Sequence, residues 1–159
     1  MEIIDNYLEE PIFKSIENLL MGYDFPWYYN DFVANKKDLT DYFYLHYLFD
    51  EGNQKSGYFN DIASPILGRL RFNKILRAQV NCFQKKPEIV EHAFHTDREE
   101  PHKVALFYVN TNDGYTLFKN GKKVESVANR VIIFDGSLEH KSSAQTNTNI
   151  RVNVNINFQ

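Results

Sequence analysis

The chain has 159 residues, enough for one domain with a substantial core, and its net charge of −3 excludes a general electrostatic affinity for nucleic acid or an anionic membrane surface. No stretch approaches the ~20 apolar residues of a membrane span, and Met1 to Asp5 lacks the basic start and apolar run of a signal peptide. Cys82 is the only cysteine, which excludes an internal disulfide and fits a reducing, cytoplasmic setting. Ten tyrosines and thirteen phenylalanines favour a β-rich core of bulky side chains.

The first part of the chain, 1–75, reads as a mixed α/β lead-in. Pro11 suits the first turn of a helix running to about Met21, with Ile12, Phe13, Ile16, Leu19 and Leu20 as its apolar stripe and Gly22 as its stop. Phe25 to Val33 predicts a strand, which Pro26 assigns to a sheet edge. Asp41 to Phe49 predicts a second aromatic strand. Ser64-Pro65 reads as an N-cap and first-turn pair opening a helix to about Asn73.

From Leu76 the pattern changes to short strands. They are expected at Leu76 to Phe83, His92 to Asp97, Lys103 to Val109, Tyr115 to Lys119, Lys122 to Ser126 and Arg130 to Phe134. Asn120-Gly121 is a strong hairpin signal, and further turns are expected at Asn112-Asp113-Gly114 and Asp135-Gly136. The last run, Arg151 to Phe158, alternates without a break. Arg151, Asn153, Asn155 and Asn157 share one face; Val152, Val154, Ile156 and Phe158 share the other. The apolar face must pack on something, for which the N-terminal helices are the candidates. The polar face can then line a cavity or face solvent, and the register of Arg151 with His140 favours the cavity. Strands at this spacing predict a barrel or jelly roll over 76–159, within a single domain spanning 1–159.

Three residues in this frame have metal-binding chemistry. His95 and Asp97 stand two apart, so an extended backbone projects both from one face. His140 returns just after the apolar run Val131 to Phe134. Two imidazoles and one carboxylate form the protein half of a facial triad, the arrangement by which non-haem oxygenases hold Fe(II) with open positions. Arg151 follows, and its guanidinium suits the distal carboxylate of a dicarboxylic cosubstrate.

The order H-x-D (His95-Thr96-Asp97), distal His140 and then Arg151, on strands, resembles the 2-oxoglutarate/Fe(II)-dependent dioxygenases, in particular the small prolyl-4-hydroxylase-like oxygenases of phages and bacteria. The resemblance covers roughly Leu76 to Phe158. It implies a double-stranded β-helix with N-terminal helices and an Fe(II) held by His95, Asp97 and His140. It also implies 2-oxoglutarate paired with Arg151, ascorbate as an auxiliary reductant, and hydroxylation of a peptide or small-molecule substrate. Retention of Asp97 points to a hydroxylase, since halogenating relatives replace this carboxylate by a small residue. Relatives often carry a tyrosine on the strand preceding H-x-D to contact 2-oxoglutarate. No tyrosine occurs in Leu76 to Phe83, and Asn81, which shares a face with Gln79, is the substitute expected here.

Other residues compete less well. His92 lies three before His95, on the opposite face of a strand. His102 sits in a Glu-rich loop and is expected in solvent, as is Arg77. His46 reads as a core or surface residue rather than a ligand, Tyr108 and Tyr115 read as packing residues, Glu139 points away from His140 if that segment is extended, and Cys82 reads as a small buried apolar residue. Two alternatives stay open: a cupin-type metal enzyme that does not use 2-oxoglutarate, and a catalytically inactive metal-binding relative.

Overall fold

A computed structural model describes residues 1–34 and 41–159. The elements run β1 (Glu2–Ile4), α1 (Glu10–Met21), β2 (Tyr28–Asn30), β3 (Phe43–Asp50), β4 (Asn53–Gln54), α2 (Phe59–Leu67), β5 (Ile75–Gln84), β6 (Lys103–Tyr108), β7 (Tyr115–Phe118), β8 (Lys123–Glu125), β9 (Arg130–Asp135), β10 (His140–Ser142) and β11 (Ile150–Phe158). The large sheet has the order β1-β9-β6-β11-β5-β3-β2, with β4 added to β3; the small sheet has the order β10-β7-β8. Every pairing is antiparallel.

The alternation in β11 decides how the layers stack. Val152, Val154, Ile156 and Phe158 are buried in one cluster with Phe13, Ile16 and Leu20 of α1 and Ile62 and Ile66 of α2. The helices therefore cover one face of the large sheet. The other face meets the small sheet. There Val104, Leu106 and Tyr108 of β6 and Ile132 and Phe134 of β9 pack with Phe118 and Val124. Where β5 and β11 extend past this second core, apolar filling gives way to polar side chains and a cavity opens.

The lead-in is tied to the rest by Asn129, which sits at φ 60, a left-handed conformation that asparagine tolerates. Its side chain accepts from Leu8 N at 2.9 Å and donates to Leu8 O at 2.9 Å, while its own carbonyl accepts from Tyr7 N. Gly121, at φ 87, supplies the positive φ that the hairpin between β7 and β8 needs. Among the described residues no helix is long and apolar enough to cross a membrane.

Three elements differ from expectation. Ser64-Pro65 does not open a helix: α2 begins at Phe59 and carries Pro65 inside it. Proline's fixed φ is itself helical, and the hydrogen bond it forgoes is a single one near the helix end. Burial of Ile62, Ala63, Ile66 and Leu67 outweighs that loss. The segment His92 to Asp97 is not a regular strand. It joins the small sheet through isolated bridges, at Glu91–Ser143 just before it and at His95–His140 within it, with His92 N donating to Ser142 O at 3.0 Å. The edge strand expected over Phe25 to Val33 is confined to Tyr28–Asn30, where it does lie at the sheet edge.

Candidate metal centre and cosubstrate pocket

The single bridge at His95 sets the geometry of the site. His95 N donates to His140 O and His140 N to His95 O, both at 2.9 Å. This reciprocal pair points two imidazoles the same way, with ring centroids 4.7 Å apart. His95 Nδ1 donates to Ala93 O at 3.2 Å and His140 Nδ1 to Leu138 O at 3.0 Å. Both rings thus have Nδ1 engaged by backbone, which leaves the Nε2 lone pairs for a ligand. Phe118 and Phe134 pack around His140. Burial pushes its pKa down and a second push comes from His95, against the opposing pull of Asp97. A neutral imidazole is the form that binds metal.

Asp97 completes the group. One ligand atom from each of His95, Asp97 and His140 can be chosen so that all lie within 4.8 Å of one another. The Asp97 side chain is 5% exposed. Its Oδ2 accepts from Asn155 Nδ2 at 3.0 Å and from Asn157 Nδ2 at 2.8 Å. Its Oδ1 lies 3.4 Å from Arg77 Nη2 and 3.8 Å from His95 Nε2. Burial alone would raise its pKa. Arg77, His140, His95 and the Asn155 hydrogen bond reverse that and hold it at about 2. The carboxylate is therefore ionised and oriented in advance, and the donor set suits a divalent transition metal with positions left open.

Arg151 is fully buried. Its Nε donates to Ser126 Oγ at 2.8 Å, and its plane lies between the rings of Phe83 and Tyr108, 5.4 and 5.7 Å from their centroids. Nη1 and Nη2 have no hydrogen-bond partner among the described residues. Gly114 passes so close that a Cβ there would lie 2.8 Å from Arg151 Cδ. A guanidinium stays protonated even though burial pulls its pKa down. Leaving such a charge buried without a counterion is costly, so the fork calls for an anion. Both Arg151 and the His95, Asp97, His140 group line one cavity of ≈ 190 Å³. These residues fit iron and a dicarboxylate together.

Asn81 also lines this cavity. Its Nδ2 donates to Asn153 Oδ1 at 2.9 Å and its Oδ1 accepts from Gln79 Nε2 at 2.7 Å, so it belongs to a chain of amides on the wall. His92 is buried away from the ligand group: its Nδ1 lies 2.8 Å from Ser142 Oγ and its Nε2 3.2 Å from Asp41 Oδ2. His46 packs among aromatic rings and contacts Pro26 O and Ser56 Oγ. Tyr108 is a core residue bonded to Thr116, Tyr115 bonds to Glu91, and Glu139 pairs with Lys119. Burial pushes the Cys82 thiol up to about 12.

Two expectations of solvent exposure are corrected. His102 is buried, because its ring lies against Gly136, whose missing side chain leaves the space for it. Arg77 faces the cavity and Asp97. The signal for Arg77 was present in the sequence: it continues the Gln79 and Asn81 alternation by one more step. Nothing local marked Ser126 as the partner of Arg151; only the fold brings them together.

No protein-family model matches the chain, and no curated protein matches it in sequence. Solved structures do. A prolyl hydroxylase from Trichoplax adhaerens, in complex with a hypoxia inducible factor oxygen degradation domain peptide fragment, aligns with TM-score 0.63 and 11% identity over 99% of this chain and 82% of that one. The viral collagen prolyl hydroxylase of Paramecium Bursaria Chlorella virus-1, in a 2OG complex, aligns with TM-score 0.61 and 14% identity over 98% and 93%. A prolyl-4-hydroxylase from Pseudomonas putida aligns with TM-score 0.62 and 12% identity over 99% and 91%. The chain has the double-stranded β-helix fold of these hydroxylases.

Proposed function

We propose that the chain, as one domain over 1–159, is an Fe(II)- and 2-oxoglutarate-dependent oxygenase that hydroxylates a peptide or small-molecule substrate. The observation that carries this reading is the pairing, in one cavity, of a His95-Asp97-His140 ligand group with a buried arginine whose Nη1 and Nη2 lack partners among the described residues. A metal site alone would serve many reactions. A metal site facing an unfilled guanidinium is built for a metal-bound dianion.

Iron bound here would supply O2 activation, coupling decarboxylation of 2-oxoglutarate to succinate and CO2 with insertion of one oxygen atom into a substrate C–H bond. The chain's own residues do the rest. His95, Asp97 and His140 would hold the metal. Asn155 and Asn157 fix the Asp97 carboxylate. Arg151 binds the distal carboxylate, with Asn81 on the adjoining wall. Phe83 and Leu106 on the cavity wall, and Phe118 and Phe134 packed on His140, limit water in the site. The prolyl hydroxylases that share the fold make a peptide substrate one candidate, and ascorbate is the expected auxiliary reductant.

Anaerobic titration with Fe(II) tests the ligand group: Asp97→Ala should bind iron far more weakly than wild type, and equal affinity would sink the assignment. Succinate formation from 2-oxoglutarate with iron, ascorbate and O2, followed by mass spectrometry, tests the reaction. Tight iron binding without any succinate would favour the inactive relative instead.

A further inference from the structure

We propose that the substrate of this site presents a carboxylate to Arg77. The proposal rests on the oxygenase reading above and deepens it by naming the substrate class.

Arg77 stands on β5, on the face it shares with Gln79 and Asn81, at the opposite end of the β5–β11 pairing from Arg151: Arg77 is in register with Asn157, and Arg151 with Phe83. Its side chain is only 18% exposed. Its Nη2 reaches Asp97 Oδ1 at 3.4 Å, a charge contact that is too long for a good hydrogen bond. No hydrogen bond from Arg77 to any described residue forms, and its Nε is buried without a partner. Asp97 cannot serve it better. Its Oδ2 is taken by Asn155 and Asn157, and Oδ1 faces His95 in the ligand group. Asp50 is the cross-strand partner of Arg77 in register, yet the two form no ion pair and Asp50 does not line the cavity. Arg77 is thus a largely buried guanidinium with its donors unspent.

Charge balance points the same way. The charged residues lining the cavity, among those described, are Arg77, Asp97 and Arg151, besides the two imidazoles. In the loaded site the charges of Fe(II) and the 2-oxoglutarate dianion cancel, and Asp97 cancels one arginine. One guanidinium charge remains. Arg151 is claimed by the distal carboxylate of the cosubstrate, and Asp97 divides its charge between the metal position and Arg77, so Arg77 is the group left under-compensated. An anion supplied by the substrate would neutralise it, and a planar carboxylate matches the planar fork. The same cavity is lined by Phe32 and by Leu45 and Tyr47 of β3, which stand opposite Asn81 and Gln79 of β5, an apolar and aromatic surface suited to a carbon skeleton. The substrate this geometry selects is a small organic acid. Its carboxylate sits on Arg77, and its nearby C–H bonds lie toward the His95, Asp97 and His140 group.

The test uses full-length protein loaded anaerobically with Fe(II) and 2-oxoglutarate, watched by its visible charge-transfer absorbance. The probes are a panel of small carboxylic acids (free amino acids, hydroxy acids and short aliphatic acids), each beside its own primary amide, with phosphate monoesters as a third arm. Acids of the panel should shift the band at concentrations about tenfold or more below their amides, and the best of them should raise succinate formation. Arg77→Gln should erase the preference for acid over amide, and Arg77→Lys should restore part of it. The comparison of acid and amide in wild type stands even if a variant fails to fold. The proposal is overturned if amides match acids, if no acid perturbs the band, if phosphate monoesters outcompete the acids, or if Arg77→Gln keeps the preference. Failure of the oxygenase reading itself looks different: the wild-type protein would then show no charge-transfer band with Fe(II) and 2-oxoglutarate alone.

Discussion

Arg151 concentrates the residue-scale chemistry. It is fully buried, and its Nη1 and Nη2 have no hydrogen-bond partner among the described residues. Charge-assisted hydrogen bonds of this kind contribute roughly 1.5–3 kcal/mol, so Arg151→Ala should lower 2-oxoglutarate affinity about ten- to a hundredfold. Arg151→Lys should recover only part, since an ammonium lacks the planar fork. Iron affinity should be unchanged in both, which would separate the role of the arginine from that proposed for His95, Asp97 and His140. Gly114 offers an independent check. A Cβ there would meet Arg151 Cδ at 2.8 Å and Asn112 Oδ1 at 2.9 Å. Gly114→Ala must therefore displace the guanidinium, and cosubstrate affinity should fall while iron affinity holds. Cys82 behaves differently: burial lifts its thiol to about 12. The folded protein should resist alkylation at about pH 8 and become labelled only on denaturation, as read by mass spectrometry.

At the scale of elements, β11 does two jobs with its two faces. Ile156 belongs to the core against the helices. Ile156→Ala should cost about 2–5 kcal/mol of stability in a urea titration, because the site can collapse only in part. Asn157, the next residue, donates to Asp97 at 2.8 Å. Asn157→Ala should weaken iron binding by about ten- to a hundredfold with a much smaller loss of stability, the behaviour of a partner that orients a ligand. A result with both losses on both variants would contradict the separation of faces. The H-x-D segment shows a different economy. It is not a strand, yet one reciprocal backbone bridge to His140 is enough to align two imidazoles.

For the whole molecule, the cavity depends on the layer behind it. Tyr7 and Phe13 both pack against Phe107, with ring centroids 6.3 Å away in each case. Phe107 is on β6, beside β11 in the large sheet. Deleting residues 1–21 would expose an apolar sheet face that includes Val131, Val152 and Val154. Such a protein should lose its cooperative thermal transition in calorimetry and aggregate, although His95, Asp97 and His140 are all retained.

Much of the site was legible in the chain itself because it rests on local rules. The period of two in Arg151 to Phe158 fixes which side chains share a face, whatever the fold. The hairpin at Asn120-Gly121 follows from a backbone conformation that few residues accept. The chemistry of two imidazoles and a carboxylate in sequence, followed by an arginine, narrows the ligand before any coordinates exist. Local rules failed where long-range packing overrode them. Pro65 lies inside α2 because burial of its neighbours outweighs one missing hydrogen bond. His102 is buried because a glycine distant in sequence, Gly136, makes room for its ring. Only the tertiary structure brought Ser126 to Arg151 and set Arg77 beside Asp97. Those approaches depend on how sheets pair and stack, which is a property of the assembled barrel and of no single stretch of sequence.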